Sequence, residues 1–220
     1  MSKLPIRTWP QQPFTLITTT SHHILAPSLP SSHHAVRVAR LMALTHNTIF
    51  RAFNAVHAQV VSVNPANSKD VADLLAFLSF AIAFIDNHHT CEELVFFPMV
   101  EAQAGVPGLM ATNVEQHRAF DDTLHALRDY VKQVQVGGER LDAGALQAKM
   151  EDLAVPLGRH LRDEIPGLLA LGVDERISEE AVRTCYKALH DEAEGTTDPF
   201  QYVFVVWPPL TSWTRNADAT

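Results

Sequence analysis

The segment Phe84-Ile-Asp-Asn-His-His-Thr-Cys-Glu-Glu-Leu-Val-Phe-Phe-Pro98 places two adjacent histidines four residues before two adjacent glutamates. Positions four apart share one face of an α-helix, so His88 lies over Glu92 and His89 over Glu93. The preceding residues are almost entirely apolar, which predicts a buried helix, and buried His and Glu are costly without partners. A metal ion is a partner that uses both imidazole nitrogen and carboxylate oxygen. An interhelical hydrogen bond or a solvated helix end would also explain this spacing if the segment stood alone.

Four long helices are predicted from apolar residues that recur at three- and four-residue spacing. They cover approximately residues 35–61, 69–102, 109–136 and 143–171, with Ser68 or Asp70 near the N-cap of the second helix. A shorter amphipathic helix is expected at about 178–192. An alternating aromatic segment follows at 199–209, and it would serve either as an extended strap over the helices or as a dimer contact.

Four long helices joined by short breaks are typical of an up-down-up-down four-helix bundle. The predicted fold class is therefore all-α. We expect an irregular N-terminal extension (1–33), the bundle (34–172), and a C-terminal helix with an extended tail (173–220).

Each long helix carries a histidine in its apolar stripe, and three of them carry a carboxyl group four residues later. An antiparallel bundle brings one side chain from every helix into a layer near mid-height. The candidates for this layer are His46, His117, His160, Glu164 and one His–Glu pair of the second helix, with Asp121 at the edge. Periodicity does not decide between His88 and His89, because both helix faces are apolar. Such a cluster would be strongly destabilising unless two divalent cations compensated its charges.

Composition excludes several classes of function. The 220-residue chain has a formal charge of −8, so it lacks the basic footprint of nucleic-acid or anionic-membrane binding. Its longest apolar run, 74–85, is too short to span a bilayer, and its first 30 residues do not resemble a secretory signal. Cys91 and Cys185 belong to no metal-binding or redox spacing. We expect a cytoplasmic monomer or homodimer that binds a small molecule, with no nucleic-acid or membrane partner.

The polar motifs together resemble the hemerythrin-like (HHE cation-binding) domain over roughly residues 34–172. They are His46-Asn, His88-His-x-x-Glu-Glu-x-x-Phe-Phe-Pro98, Glu115-Gln-His117-Arg and His160-Leu-x-x-Glu164. In that family the His ten residues before the Pro and the Glu six before it ligate the metal, which selects His88 and Glu92 over His89 and Glu93. The resemblance implies a non-haem di-iron site with bridging carboxylates. Its expected ligands are His46, His88, Glu92, His117, His160 and Glu164.

Two departures from the oxygen-carrying hemerythrins affect the expected chemistry. Those proteins have a further His one turn after the third-helix ligand, where this chain has Asp121, and they space the fourth-helix ligands by five residues rather than four. A site with fewer imidazoles favours ferric iron, so we expect O2 or peroxide activation, or redox sensing, rather than reversible oxygen carriage. Asp121 is a candidate ligand, proton relay or hydrogen-bond partner of a ligand. His89, Glu93 and Glu115 are candidates for supporting or surface positions.

Three functions are consistent with the sequence. The first is an oxidase- or oxygenase-type enzyme with two Fe ions (Mn is possible) and O2 as ligand or co-substrate. The second is a non-catalytic sensor of oxygen, nitric oxide or iron, or an iron store. The third is a metal-free bundle with structural histidines. A pocket of organic-substrate size beside the metals, lined by tail aromatics such as Phe200 and Trp207, would favour the enzyme, and a closed, ligand-sized cavity would favour the sensor.

Overall fold

The computed structural model describes residues 13–18, 26 and 28–196. Within these residues all regular secondary structure is helical, which confirms the all-α prediction for this part of the chain. The helices are α1 (His34–Gln59), α2 (Ser68–Cys91), α3 (Phe97–Ala104), α4 (Ala111–Gln135), α5 (Ala143–Ala170) and α6 (Glu179–Thr196). None of the described helices is long and apolar enough to cross a membrane. The aromatic segment 199–209 and its two predicted roles lie outside the described residues.

Polar side chains at the predicted breaks cap the N-termini of α2 and α5. The N-cap of α2 is Asn67 rather than the predicted Ser68 or Asp70, because the Asn67 side-chain oxygen accepts hydrogen bonds from the Lys69 and Asp70 N–H groups. Asp142 caps α5 by accepting a hydrogen bond from the Ala145 N–H group. Asn and Asp are strongly favoured at this position since they satisfy N–H groups that lack an intrahelical partner.

The four long helices contact one another in a ring. Helix α1 packs against α2 and α5, and α4 packs against the same two helices. Their apolar stripes bury two hydrophobic cores. The first core surrounds Phe53, Leu75 and Leu127, and the second surrounds Met42 and Phe97.

Each long helix passes through the two cores in the opposite order to the long helix before it. The chain enters the second core at 35–43, the first at 49–60 and 74–85, the second at 91–110, the first at 120–161 and the second again at 165–171. Antiparallel neighbours require this reversal. The candidate metal ligands lie where each helix leaves one core for the other, so they share a single polar layer between two apolar regions.

Helix α2 continues into α3 through one π-helical turn, Glu92–Phe96. Pro98 lies in the first turn of α3, and a proline lacks an N–H and clashes with the carbonyl four residues before it in a regular helix. A π-turn relieves that conflict and is frequent at functional sites. The sequence predicted one helix over about 69–102, without this π-turn. The wider turn begins three residues after His89, and α6 packs against it.

Residues 13–18 lie along α1 and are held by two asparagine side chains. Asn54 accepts from the Phe14 N–H at 2.9 Å and donates to the Phe14 carbonyl at 2.7 Å. Asn47 makes the same pair of bonds with Ile17, at 2.7 and 2.9 Å. Phe14 stacks on Phe50 and belongs to the first core. Part of the predicted N-terminal extension therefore contributes to the core.

Candidate metal centre

The polar layer contains seven side chains, of which six are buried and His88 is slightly exposed. They are His46, His88, His89, Glu92, His117, His160 and Glu164, and none is more than 9% exposed. The layer includes all six ligands that the sequence predicted, together with His89. Side chains of this kind are almost never buried without partners, so the composition of the layer calls for an explanation.

The seven side chains form two overlapping groups, each with the donor atoms to hold an ion. One group is His46, His88, Glu92 and Glu164, and the other is His89, Glu92, His117 and His160. The donor atoms in each group lie within 4.8 Å of one another. Two ligand atoms on opposite sides of one ion, each about 2.0–2.2 Å from it, lie about 4.0–4.4 Å apart. This separation is close to the 4.8 Å within which the donor atoms lie. The sequence predicted two bridging carboxylates, and this geometry places only Glu92 in both groups.

Helical geometry explains why one helix serves both groups. Successive residues of an α-helix are rotated by 100°, so His88 and His89 face different neighbouring helices. His88 lies against His46 of α1, with the two Nε2 atoms 3.1 Å apart. His89 lies against His117 of α4, with ring centroids 4.3 Å apart. Viewed along the helix axis, Glu92 lies 40° beyond His88 and therefore between the two histidines. This position places its carboxylate in both groups.

Three of the histidines are oriented by an acceptor on the outer side of the ring. The Nδ1 atom of His46 donates to the Leu161 carbonyl at 2.7 Å, and that of His117 donates to a Glu93 carboxylate oxygen, also at 2.7 Å. A carbonyl or carboxylate oxygen has no proton to give, so the Nδ1 atoms carry the hydrogens. The Nε2 lone pairs therefore face the layer, as they do in metal-binding histidines.

The third oriented histidine creates a conflict that a cation would resolve. His160 Nδ1 lies 3.3 Å from the Gln116 side-chain oxygen, whose identity is fixed because the amide nitrogen donates to Asp163. His160 and His117 therefore both present unprotonated Nε2 atoms, and these lie 3.0 Å apart. Two lone pairs at this distance repel unless a proton or a metal ion lies between them.

The carboxylates of the layer are similarly unsatisfied. Among the described residues, no oxygen of Glu92 or Glu164 has a hydrogen-bond partner of suitable geometry. Imidazole nitrogens lie close to both carboxylates: Glu92 is 3.2 Å from His88 Nε2, and Glu164 is 3.2 Å from His46 Nε2. Buried native polar groups nearly always have partners. Divalent cations would satisfy these oxygens and the facing lone pairs together, so the residues fit a metal centre.

Burial sets the protonation states of the layer. It lowers the pKa of His88 and of His89 well below the usual value, and each neighbouring imidazole lowers the pKa further. Burial, and then the charge of His117, lower the pKa of His160 to about 2. Burial raises the pKa of the Glu92 carboxyl well above its usual value, and the nearby Glu164 adds to this increase. His88, His89 and His160 are therefore neutral at neutral pH, so none of these three rings carries a proton that would take the place of a metal cation.

The family of the chain follows from its match to a protein-family model. The model of the hemerythrin HHE cation-binding domain matches residues 37–171, a range that contains the whole polar layer. The chain belongs to this family. The resemblance that the motifs indicated is thereby confirmed, and the hemerythrin-like domain binds metal cations.

A curated relative extends the comparison. This hemerythrin-like chain is 36% identical over 141 residues to the dimeric xanthone biosynthesis cluster protein R11 of Cryptosporiopsis sp. (strain 8999). The similarity covers 64% of the chain and 52% of the relative, so the chain matches about half the length of that protein. No solved structure matches the chain significantly.

The remaining sequence candidates lie around the layer. Asp121, which the sequence placed at the edge of the layer, is exposed and outside both groups, because Phe120 and Leu124 occupy the inward face. Glu93 supports His117 directly, as a candidate supporting residue should. Glu115 is exposed. Sequence reasoning missed Gln116, since an amide next to a candidate ligand has no distinguishing spacing.

A cavity of about 280 Å³ reaches the layer from the surface between α2 and α4. Thr90, Glu93, Leu94 and Asp121 form part of its exposed wall, while the buried His89 and His117 also line it. The described lining includes no other member of the two ligand groups. The tail aromatics that the sequence considered for this pocket lie outside the described residues.

Proposed function

We propose that the protein is a non-haem di-iron protein of the up-down-up-down four-helix type. The single observation that carries the proposal is the 3.0 Å contact between the Nε2 atoms of His117 and His160, because both atoms present lone pairs. The unsatisfied oxygens of Glu92 and Glu164 support it, and the alternating passage of the helices through two cores supports the topology.

In this proposal His46, His88, Glu92, His117, His160 and Glu164 hold two irons. The mixed imidazole and carboxylate ligand set is also suitable for manganese. Bound there, the two metals would supply the electrons and Lewis acidity needed to reduce O2 or peroxide. The side chains provide neutral imidazoles, a shared carboxylate at Glu92 and apolar cores on both sides that exclude water. Glu93, Gln116 and the Leu161 carbonyl keep three of the rings aligned.

An enzyme of small-molecule oxidation is the function that we favour. The cavity leads from the surface to His89 and His117, so a molecule has a route to one side of the layer. The name of the curated relative places that protein in a biosynthesis cluster, and we extend an oxidase- or oxygenase-type role to this chain. We place the protein in the cytoplasm, as a monomer or homodimer.

The size of the cavity favours a second candidate. Ligand pockets usually measure about 300–1,000 Å³, and this one is about 280 Å³. A diatomic gas or another very small ligand would fit more easily than a polycyclic substrate. A sensor of oxygen or nitric oxide, or an iron-binding protein without turnover, is therefore the alternative.

Metal analysis of the protein purified without added metal tests the proposal. We expect about two irons per chain, with ultraviolet-visible charge-transfer bands in air that bleach on reduction and return with O2. The variant His117→Leu should lose metal, whereas His125→Leu, which removes an exposed histidine of the same helix, should retain it. Absence of metal, with unchanged helicity and melting temperature when iron is added, would contradict the di-iron function.

A further inference from the structure

His89 differs from the other histidines of the polar layer. It is only 6% exposed, yet neither of its ring nitrogens has a hydrogen-bond partner among the described residues. Every tautomer of imidazole carries at least one N–H, so His89 buries an unpaired donor or lone pair in any neutral state. An unsatisfied buried group of this kind costs about 1–3 kcal/mol. A purely structural position would be better occupied by an apolar residue.

The surroundings of His89 are those of a ligand rather than of a core side chain. Its ring centroid lies 4.3 Å from that of His117 and 5.0 Å from that of His160. Its donor atom also falls within 4.8 Å of those of Glu92 and both histidines. The facing lone pairs of His117 and His160 thus have His89 and Glu92 as their immediate neighbours.

Asp121, the residue that follows His117 by one helical turn, does not complete this group. It is exposed and lies on the wall of the cavity, outside both donor groups. Without His89, the α4 side of the layer would have only His117, His160 and the shared Glu92. With His89 each side has four protein donors.

We propose that His89 is a protein ligand of the metal ion on the α4 side, together with Glu92, His117 and His160. This assignment rests on the proposed metal-binding function and adds a seventh ligand to it. It divides the centre into two unequal positions, since His89 and His117 line the cavity and the ligands His46, His88 and Glu164 do not. Small exogenous ligands therefore reach the ion held by His89 rather than its neighbour.

Titration of the metal-free protein with Co(II), followed by calorimetry and visible absorption, tests this assignment. The wild-type chain should bind two ions. In His89→Leu, a substitution of similar volume, one site should weaken more than about 100-fold, beyond the usual effect of altering a residue that only supports a ligand. The other site should keep its affinity. The metal-free variant should melt at or above the wild-type temperature, because an unpaired polar group has been removed.

Two variants act as controls. Asp121→Asn should leave both Co(II) affinities within about twofold of the wild-type values. This result would show that a change in the cavity wall does not by itself alter metal binding. His89→Gln keeps a polar side chain. It is used in place of His89→Leu if circular dichroism shows that the Leu variant is not helical. We expect the same loss of one metal site.

The outcomes separate this assignment from the proposed function. Two Co(II) ions bound with wild-type affinity by His89→Leu would overturn the role of His89 and leave the di-iron function intact. A wild-type chain that binds neither Co(II) nor iron would overturn both.

Discussion

At the scale of single residues, the layer depends on groups that hold the imidazoles in place. Glu93 is partly exposed, yet one of its oxygens accepts a hydrogen bond from His117 Nδ1 at 2.7 Å. This bond fixes the tautomer and the ring orientation, and it raises the basicity of the Nε2 atom that faces the layer. Glu93 therefore influences metal binding without belonging to either donor group.

Replacing Glu93 should weaken metal binding without abolishing it. We expect Glu93→Ala to lower the affinity of the α4-side ion by about 10–100-fold, because His117 loses its orienting acceptor. Glu93→Gln, whose side-chain oxygen still accepts, should lose less. Competitive titration with a chelator measures the affinity. Glu115→Ala on α4 is the matched control, and an equal loss in both Ala variants would contradict the orienting role.

The sequence predicted which side chains face the layer where a helix has one clear apolar stripe. His46 and His160 reach the layer from such stripes. The choice between His88 and His89 could not be made from periodicity, and the structure shows that both face the layer. Two adjacent histidines reach different neighbouring helices because they are rotated by 100°. Asp121 lies outside both donor groups, because a position four residues after His117 is rotated by 40° from it and Phe120 takes the inward position.

At the scale of helices, α6 covers the π-turn that follows the ligand-bearing part of α2. It contacts α1, α2, α3 and the π-turn. Val182 and Cys185 on α6 are buried in the second core beside Cys91. The Cys91 thiol also lies 3.6 Å from the Thr196 hydroxyl. Docking of α6 therefore shields Cys91, one residue before the shared Glu92.

Undocking α6 should expose the Cys91 thiol. We expect Val182→Asp to destabilise the protein by about 3 kcal/mol or more, because a carboxylate is buried without a partner. In a Cys185→Ala background, Cys91 should then react with a thiol reagent at least tenfold faster. Lys187→Ala, an exposed change on the same helix, should leave the rate unchanged. A slow rate in both variants would show that α6 does not protect Cys91.

The extents of the helices were predictable within a few residues, because apolar periodicity and turn residues define them. The π-turn was not. Pro98 indicated a local irregularity, but the form of the irregularity depends on how Phe96 and Phe97 pack into the second core, and such tertiary contacts cannot be read from one helix.

At the scale of the whole molecule, a layer of ionisable groups separates two apolar cores. The metal-free protein must keep this layer neutral to remain folded, since unpaired buried charges are strongly unfavourable. His88, His89, His117 and His160 remain neutral because burial lowers their pKa values. The stability of the metal-free fold therefore depends on pH.

The metal-free protein should lose stability as the pH falls below about 6.5. The unfolded chain takes up protons on His88, His89, His117 and His160 near the usual pKa, whereas the folded chain does not. Each of these histidines therefore lowers the free energy of unfolding by at most about 1.4 kcal/mol between pH 7.5 and 5.5. Glu92 acts in the opposite direction, because its raised pKa penalises the folded state as the pH increases. We expect a net loss of about 2–3 kcal/mol, measured by urea unfolding.

Removing one of these histidines provides the control. His160→Leu should flatten the pH profile of the metal-free protein, since one proton-binding site disappears from the unfolded chain. Equal stabilities of the wild type at pH 7.5 and 5.5 would contradict the assigned protonation states.

The family match begins at residue 37, but the buried core of this protein includes Phe14, which lies earlier in the chain. The Asn47 and Asn54 amides imitate the edge of a neighbouring β-strand, and residues 13–18 pair with them as a strand would. A chain cut at the family boundary would lose these four hydrogen bonds, each with a net value of about 0.5–1.5 kcal/mol. It would also leave an aromatic-sized hole where Phe14 stacks on Phe50. The packed core therefore extends beyond the residues that the family match covers.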